Sequence, residues 1–192
     1  MRWSSTSCSS WICVIPLDDQ TLRKAALCAR RAMSARQRQE ASQRIVDRLL
    51  PQLKDARCIG IYMAQGSEAN VDALCQLLAH KTLAAPVCAQ AGIMHFHALG
   101  KGFVVSAMGI REPKGERIVP QALDVILVPL VAFDAQCHRL GHGAGYYDRY
   151  LPQSHALRIG VGFECQKVHQ IQAMPHDIDM DLIVTERQLY FR

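Results

Sequence analysis

Neither standard nucleotide-binding fingerprint occurs in this 192-residue chain. Its glycine-rich stretch is followed by no Gly-Lys-Ser/Thr and lacks the third-glycine spacing of the dinucleotide motif. The eight cysteines include no Cys-x-x-Cys and no other paired spacing, which argues against a disulfide framework and suits reduced core thiols in a cytoplasmic protein. Eight histidines prompt a check for zinc, since His95 and His97 form His-x-His and His138 and His142 stand four apart. No His-Glu-x-x-His frame or cysteine pair accompanies them, so they read as exposed strand or loop residues. Long apolar runs are missing too. The patch from Trp11 to Leu17 is too short to span a bilayer, and the serine-rich residues 1–20 lack the charged start and cleavage site of a secretory signal. They read as a poorly ordered extension. Residues 21–192 contain no repeat or low-complexity linker and form one domain of sufficient length for a sizeable core.

The formal net charge is +5, with basic residues gathered between Arg23 and Arg57. No nucleic-acid recognition motif accompanies that charge, and phosphate or carboxylate ligands need the same arginines. Small acidic molecules are the expected partners, with no nucleic acid and no membrane, and a monomer is expected.

What the chain does contain is concentrated between Asp124 and Leu151, DVILVPLVAFDAQCHRLGHGAGYYDRYL. Asp124 to Leu130 is an apolar, β-branched run that fits a fully buried parallel strand. Phe133 and Asp134 leave the sheet for a loop. Gly141, Gly143 and Gly145 alternate with His142 and Ala144, so backbone amides can approach a ligand where side chains would otherwise intervene. Tyr146 to Leu151 reads as a helix start. Unpaired amides there favour an anion such as phosphate, with Arg139 beside it. Taken alone, Gly-x-Gly-x-Gly is equally a tight strand-to-helix connection.

Before this stretch, residues from Thr21 follow a helical pattern with Leu22, Ala25, Ala26, Ala29 and Met33 on one face. Ser34 then opens a second helix with Gln37 at capping-box spacing and an apolar stripe through Ile45, Val46, Leu49 and Leu50, ahead of Pro51. Arg57 to Met63 is a short strand and Val71 to His80 the helix after it. The loop between them carries Glu68, which by spacing alone is a solvated acid or a helix-start acid. Thr82 to Val87, Ile93 to Ala98 and Phe103 to Ile110 read as strands, GIREPKG as a turn-rich approach, and Glu112 and Pro113 as loop residues without chemistry. Late strands fall at Leu157 to Phe163, Asp181 to Thr185 and Leu189 to Phe191. Strands alternating with helices predict an α/β fold with a mostly parallel sheet covered on both faces.

The string from Asp124 to Asp148 resembles the signature of the 5-formyltetrahydrofolate cyclo-ligase (methenyltetrahydrofolate synthetase) family. There, a buried strand ending in Pro is followed by Phe-Asp and then Arg-Leu-Gly-x-Gly-x-Gly-Tyr-Tyr-Asp. The resemblance extends in weaker form from Leu22 onward. It implies a three-layer α/β/α sandwich related to the sugar-phosphate isomerase and CoA-transferase folds. It also implies ATP- and Mg²⁺-dependent cyclisation of 5-formyltetrahydrofolate to 5,10-methenyltetrahydrofolate, with ADP and phosphate released after phosphorylation of the formyl oxygen.

Residue by residue, the resemblance gives Arg23, Arg139, Gly141, His142, Gly143, Ala144 and Gly145, with Tyr146 and Tyr147, to ATP. Met63, Glu68, Tyr146 and Tyr147 go to the folate, and Asp148 and Asp177 to Mg²⁺. Arg139 and Tyr146 are the expected catalytic pair. The family's Lys-x-x-Leu-Arg segment is matched at Leu22 and Arg23, while Asp19 stands at its lysine position. Val87 stands where the family has the arginine of Pro-Arg. Two other classes fit the sequence: an ATP-independent isomerase or CoA transferase of the same fold, and a non-catalytic sensor of a phosphorylated metabolite.

Overall fold

The computed structural model describes residues 18–89, 92–106 and 109–192. The expected extension falls almost entirely outside these, as does the Trp11 to Leu17 patch. No helix among the described residues is long and apolar enough to cross a membrane.

An eight-stranded sheet forms the middle layer. It contains β1 (Cys58–Gly60), β2 (Thr82–Cys88), β3 (Met94–Ala98), β6 (Arg117–Ile118), β7 (Val125–Pro129), β10 (Leu157–Val161), β11 (Leu182–Val184) and β12 (Leu189–Phe191), in the order β12-β11-β10-β7-β1-β2-β3-β6. The five strands from β11 to β2 are parallel, and the remaining pairings at both edges are antiparallel. The strand order reverses between β1 and β7, and ligands of open α/β sheets bind outside the carboxyl ends of the strands at such a point. The loop carrying Glu68 leaves β1 there, and the glycine loop follows β7.

Both faces of the sheet are buried, which is why β7 is apolar at every position. Val125 and Leu127 pack with Ile59, Ile159 and the stripe Ile45, Val46 and Leu49 of α2 (Ala35–Gln52). Ile126 and Val128 face the opposite layer, with Phe96, Tyr150 and Leu151. Gly60 belongs to that second face, where a Cβ would lie 2.7 Å from the Phe96 ring.

Ser34 caps α2 as its spacing predicts: its hydroxyl accepts from Gln37 N and the Gln37 side chain accepts from Ser34 N. α1 (Asp19–Ala32) begins two residues earlier than expected because Asp18 caps it, accepting from Thr21 N at 2.7 Å. Its apolar residues Leu22 and Ala26 pack on Val131, Ala132 and Leu140, which sets Arg23 beside the glycine loop.

Several expected elements are shorter or differently joined. The helix expected over Val71 to His80 is regular only in α3 (Leu74–Leu77). Leu74, Cys75 and Gln76 N instead bond carbonyls three residues back, giving a tighter pitch than an α-helix. The single strand expected over Phe103 to Ile110 is a hairpin of β4 (Phe103–Val105) and β5 (Arg111–Pro113), turned at Gly109 with φ 74°. Glu112 and Pro113 therefore lie in a strand rather than a loop, and the buried Glu112 carboxylate accepts from Cys88 N at 3.1 Å. Phe133 does not simply enter a loop. β8 (Ala132–Phe133) pairs with β9 (Arg139–Leu140), and the fully buried Asp134 organises their turn by accepting from Gln136 N, His138 N, the His138 ring and Ile171 N. The six cysteines among the described residues are all unpaired.

Candidate active site

A cleft of about 610 Å³ opens at the point where the strand order reverses. Its walls include every one of the thirteen residues singled out from the sequence: Arg23, Met63, Glu68, Arg139, Gly141, His142, Gly143, Ala144, Gly145, Tyr146, Tyr147, Asp148 and Asp177.

One wall is the glycine loop, which runs from β9 into α4 (Tyr146–Tyr150). That helix is only five residues long, so it contributes a small dipole, and an anion at this wall would meet mainly the loop's own amides. Gly143 and Gly145 have φ of 91° and 67°, backbone that favours glycine. Two arginines brace the loop from outside. Arg23 donates from Nε to the Gly141 carbonyl at 2.9 Å, and Arg149 donates to the Ala144 carbonyl at 2.5 Å and the Gly92 carbonyl at 3.0 Å. A Cβ on Gly145 would lie 2.8 Å from the Arg149 guanidinium, so that brace also needs glycine. Asp19 ion-pairs with Arg23 at 3.3 Å, which ties this arginine further to its own helix.

Arg139 is buried, and its Nη2 donates to Asp148 Oδ1 at 2.5 Å, while its Nε has no partner. The hydroxyl of Tyr147 is likewise buried without a partner. Burial, reinforced by the Glu68 charge, pushes its pKa well above the ordinary phenol value, so Tyr147 is a neutral hydrogen-bonding group at any physiological pH.

The facing wall follows β1. Glu68 turns one carboxylate oxygen back to Gln65 N at 2.9 Å and meets the His142 ring with the other at 3.3 Å, which links the two sides of the cleft at its mouth. Arg30 supports this loop from α1, donating from Nε to Ser67 Oγ at 3.0 Å, with a second guanidinium nitrogen buried and unpartnered. Burial lowers the Arg30 pKa, and the nearby Glu68 charge opposes that effect. Tyr62 is buried below the same loop and donates to the Ala69 carbonyl at 2.5 Å.

Asp177 lines the far side of the cleft with His176. One of its oxygens accepts from Met174 N at 2.8 Å. No group of three or more metal-ligating side chains occurs among the described residues. Asp148 and Asp177 each keep a carboxylate oxygen outside the hydrogen bonds described. That set fits Mg²⁺, which takes one or two carboxylates and completes its octahedron with phosphate oxygens and water. Asp181 has another place: it accepts from both ends of the Arg158 guanidinium and from Arg158 N.

The sequence reading missed the braces. Arg149, Arg30 and Tyr62 follow no motif, and only the fold reveals what they hold. Asp134 did carry a signal, because an aspartate just before a turn favours bonds to backbone N–H groups a few residues on.

Residues 17–186 match the 5-formyltetrahydrofolate cyclo-ligase family. The 5-formyltetrahydrofolate cyclo-ligase of Mycolicibacterium smegmatis is 32% identical over 186 residues, covering 90% of this chain and 96% of the relative. That of Escherichia coli (strain K12) is 30% identical, over 84% and 96%. Among solved structures, the 5,10-methenyltetrahydrofolate synthetase of Aquifex aeolicus superposes with a TM-score of 0.81 at 31% identity, covering 90% of this chain and 91% of that one. The synthetase of Mycoplasma pneumoniae gives 0.76 at 28% identity, covering 88% and 99%.

Proposed function

Because the chain belongs to the 5-formyltetrahydrofolate cyclo-ligase family, we propose that its cleft phosphorylates the formyl oxygen of 5-formyltetrahydrofolate with ATP and Mg²⁺ and then closes the ring to 5,10-methenyltetrahydrofolate. The observation that carries this reading is the convergence of the braced glycine loop, Arg139, Asp148, Tyr147 and Glu68 on one cleft.

The chemistry explains why such a site needs no strong nucleophile of its own. A formamide carbonyl is a poor electrophile, since its nitrogen donates into it, and its oxygen must become a leaving group before the neighbouring aniline nitrogen can attack. The formyl oxygen attacks the γ-phosphorus in line and ADP departs. The aniline nitrogen then adds to the resulting imidate carbon and gives up its proton, and inorganic phosphate leaves with the former formyl oxygen and that proton. The work left to the protein is positioning and charge neutralisation.

In this reading the amides of Gly141 to Gly145 cradle the phosphates. Arg23 holds the loop in shape and Arg139 supplies charge to the transferring phosphoryl group. Tyr146 and Tyr147 line the folate side, with Tyr147 contributing its unused hydroxyl. Glu68 takes N–H donors of the pterin once His142 has moved aside, and Met63 packs against the same ring system. Asp148 and Asp177 would hold Mg²⁺, which when bound offsets the negative charge of the phosphates.

Incubation with 5-formyltetrahydrofolate and Mg²⁺, with and without ATP, tests the reading through the near-ultraviolet absorbance of the methenyl product. Product formed only with ATP is the expected result. Product formed equally without ATP, or none at all, would remove it.

A further inference from the structure

Met63 belongs to two walls. One borders the active-site cleft, and the other borders a second groove of about 660 Å³ formed by residues of α3, the start of β2 and the β4–β5 hairpin. Leu83, Leu99 and Phe103 give this groove an apolar side, and Asp72 and Arg111 give it a polar one.

The cations around both spaces differ in what they are free to do. In the cleft, Arg139 is buried with Nη2 on Asp148, Arg149 is held by the carbonyls of Ala144 and Gly92, and Arg23 by Gly141 and Asp19. In the second groove, Lys81 gives its ammonium to the carbonyls of Leu53, Lys54 and Ala56, where α2 ends. Arg111 is committed at one nitrogen only, with Nη2 donating to Asp72 at 2.7 Å. Its guanidinium carbon lies 5.5 Å from the centroid of the Phe103 ring, and its remaining N–H groups have no partner among the described residues. Asp72 Oδ1, next to this pair, is buried without a hydrogen-bond donor. The groove thus combines an apolar wall with a half-exposed guanidinium that has donors to spare.

A formyltetrahydrofolate has the matching parts in order. Beyond the pterin come a flat aminobenzoyl ring, an amide N–H, and a glutamate carrying two carboxylates. With the pterin beside Glu68 and Met63, as proposed above, the second groove begins on the other side of Met63, the residue that both spaces share. We propose that the arm enters the second groove and that Arg111 is a specificity-determining residue that receives a glutamate carboxylate. The inference rests on the function proposed above and adds to it the place where the substrate's acidic tail is read. A planar guanidinium already held by one carboxylate loses less freedom on gaining a second than a free one would.

The test compares wild type, Arg111→Lys and Arg111→Gln with two substrates, 5-formyltetrahydrofolate and its glutamate-free counterpart 5-formyltetrahydropteroate, by turnover and by calorimetric binding. The expected result is that Arg111→Gln raises KM and Kd for the glutamate-bearing compound by about five- to tenfold, leaves those for the glutamate-free one within about twofold, and is partly rescued by lysine. Equal losses with both compounds would mean that Arg111 only props the hairpin, and no loss with either would place the tail elsewhere. Both outcomes overturn the inference. Calorimetry keeps this judgement separate from catalysis: wild-type protein that binds the two compounds differently but makes no product contradicts the proposed reaction and still decides the role of Arg111.

Discussion

Arg139 Nη2 lies 2.5 Å from Asp148 Oδ1, in a pair whose arginine side chain is only 5% exposed. Sequence resemblance gives these two residues separate tasks, one on phosphate and one on Mg²⁺, yet the fold makes each the other's partner. A phosphate–Mg²⁺ pair arriving in the cleft can engage both at once, with the anion meeting the guanidinium and the cation meeting the carboxylate. Arg139→Ala is expected to lower turnover at least a hundredfold, about 3 kcal/mol of transition-state stabilisation. Because the two residues form one unit, adding Asp148→Asn to Arg139→Ala should cost far less than the two single losses combined. Steady-state kinetics on the three variants, with thermal melts to check folding, measures this; additive losses would mean that the residues act independently.

Tyr147 offers a sharper separation of function from stability. Its hydroxyl is buried and unpartnered, so Tyr147→Phe removes a polar group that the ligand-free protein leaves unsatisfied. The melting temperature should stay constant or rise, while KM for the folate rises by about tenfold through loss of one buried hydrogen bond. A fall in melting temperature with unchanged KM would assign the hydroxyl to the fold instead.

Gly60 tests the sheet beneath the site. An alanine Cβ would stand 2.7 Å from the fully buried Phe96 ring. Gly60→Ala should destabilise the protein by about 1–3 kcal/mol in urea unfolding, and combining it with Phe96→Leu should cost less than the sum of the two changes.

Acid sensitivity should follow Asp181. Burial alone would raise its carboxyl pKa, but hydrogen bonds from Arg158 outweigh burial and hold the value below that of a free aspartate. A depressed folded-state pKa stabilises the protein above the unfolded value, about pH 3.9, and that contribution is lost as pH falls through the folded value. Asp181→Asn should therefore be less stable near neutrality, with the difference from wild type narrowing below about pH 4. Denaturant titrations at a series of pH values follow this directly.

The contrast between these residues explains what could be read before the fold was known. β7 was legible because burial on both faces demands apolar residues without alternation, and the glycine loop because the left-handed angles of Gly143 and Gly145 favour glycine. The capping box at Ser34 was legible for the same kind of local reason. Contacts that join separate segments were not. Arg149 reaches Gly92 across the cleft edge, Arg30 reaches Ser67 from α1, and the Arg139–Asp148 pair exists only because β8 and β9 turn the chain back before the glycine loop. The segment from Val71 to His80 has helical composition, but bonds to carbonyls three residues back limit its regular α-helix to one turn. The strand expected over Phe103 to Ile110 ends at Val105, and the chain, with Gly109 at φ 74°, returns as β5, which brings Arg111 to the second groove.

Transfer of phosphate to the formyl oxygen is best tested with isotope. 5-Formyltetrahydrofolate labelled with ¹⁸O in the formyl group is converted in unlabelled water with ATP, and the released phosphate is analysed by mass spectrometry. Attack by the formyl oxygen on the γ-phosphorus in this cleft requires one ¹⁸O in each phosphate formed with product. Phosphate free of ¹⁸O would mean that water takes the phosphoryl group, and would contradict the assignment of the glycine loop and Arg139 to that transfer.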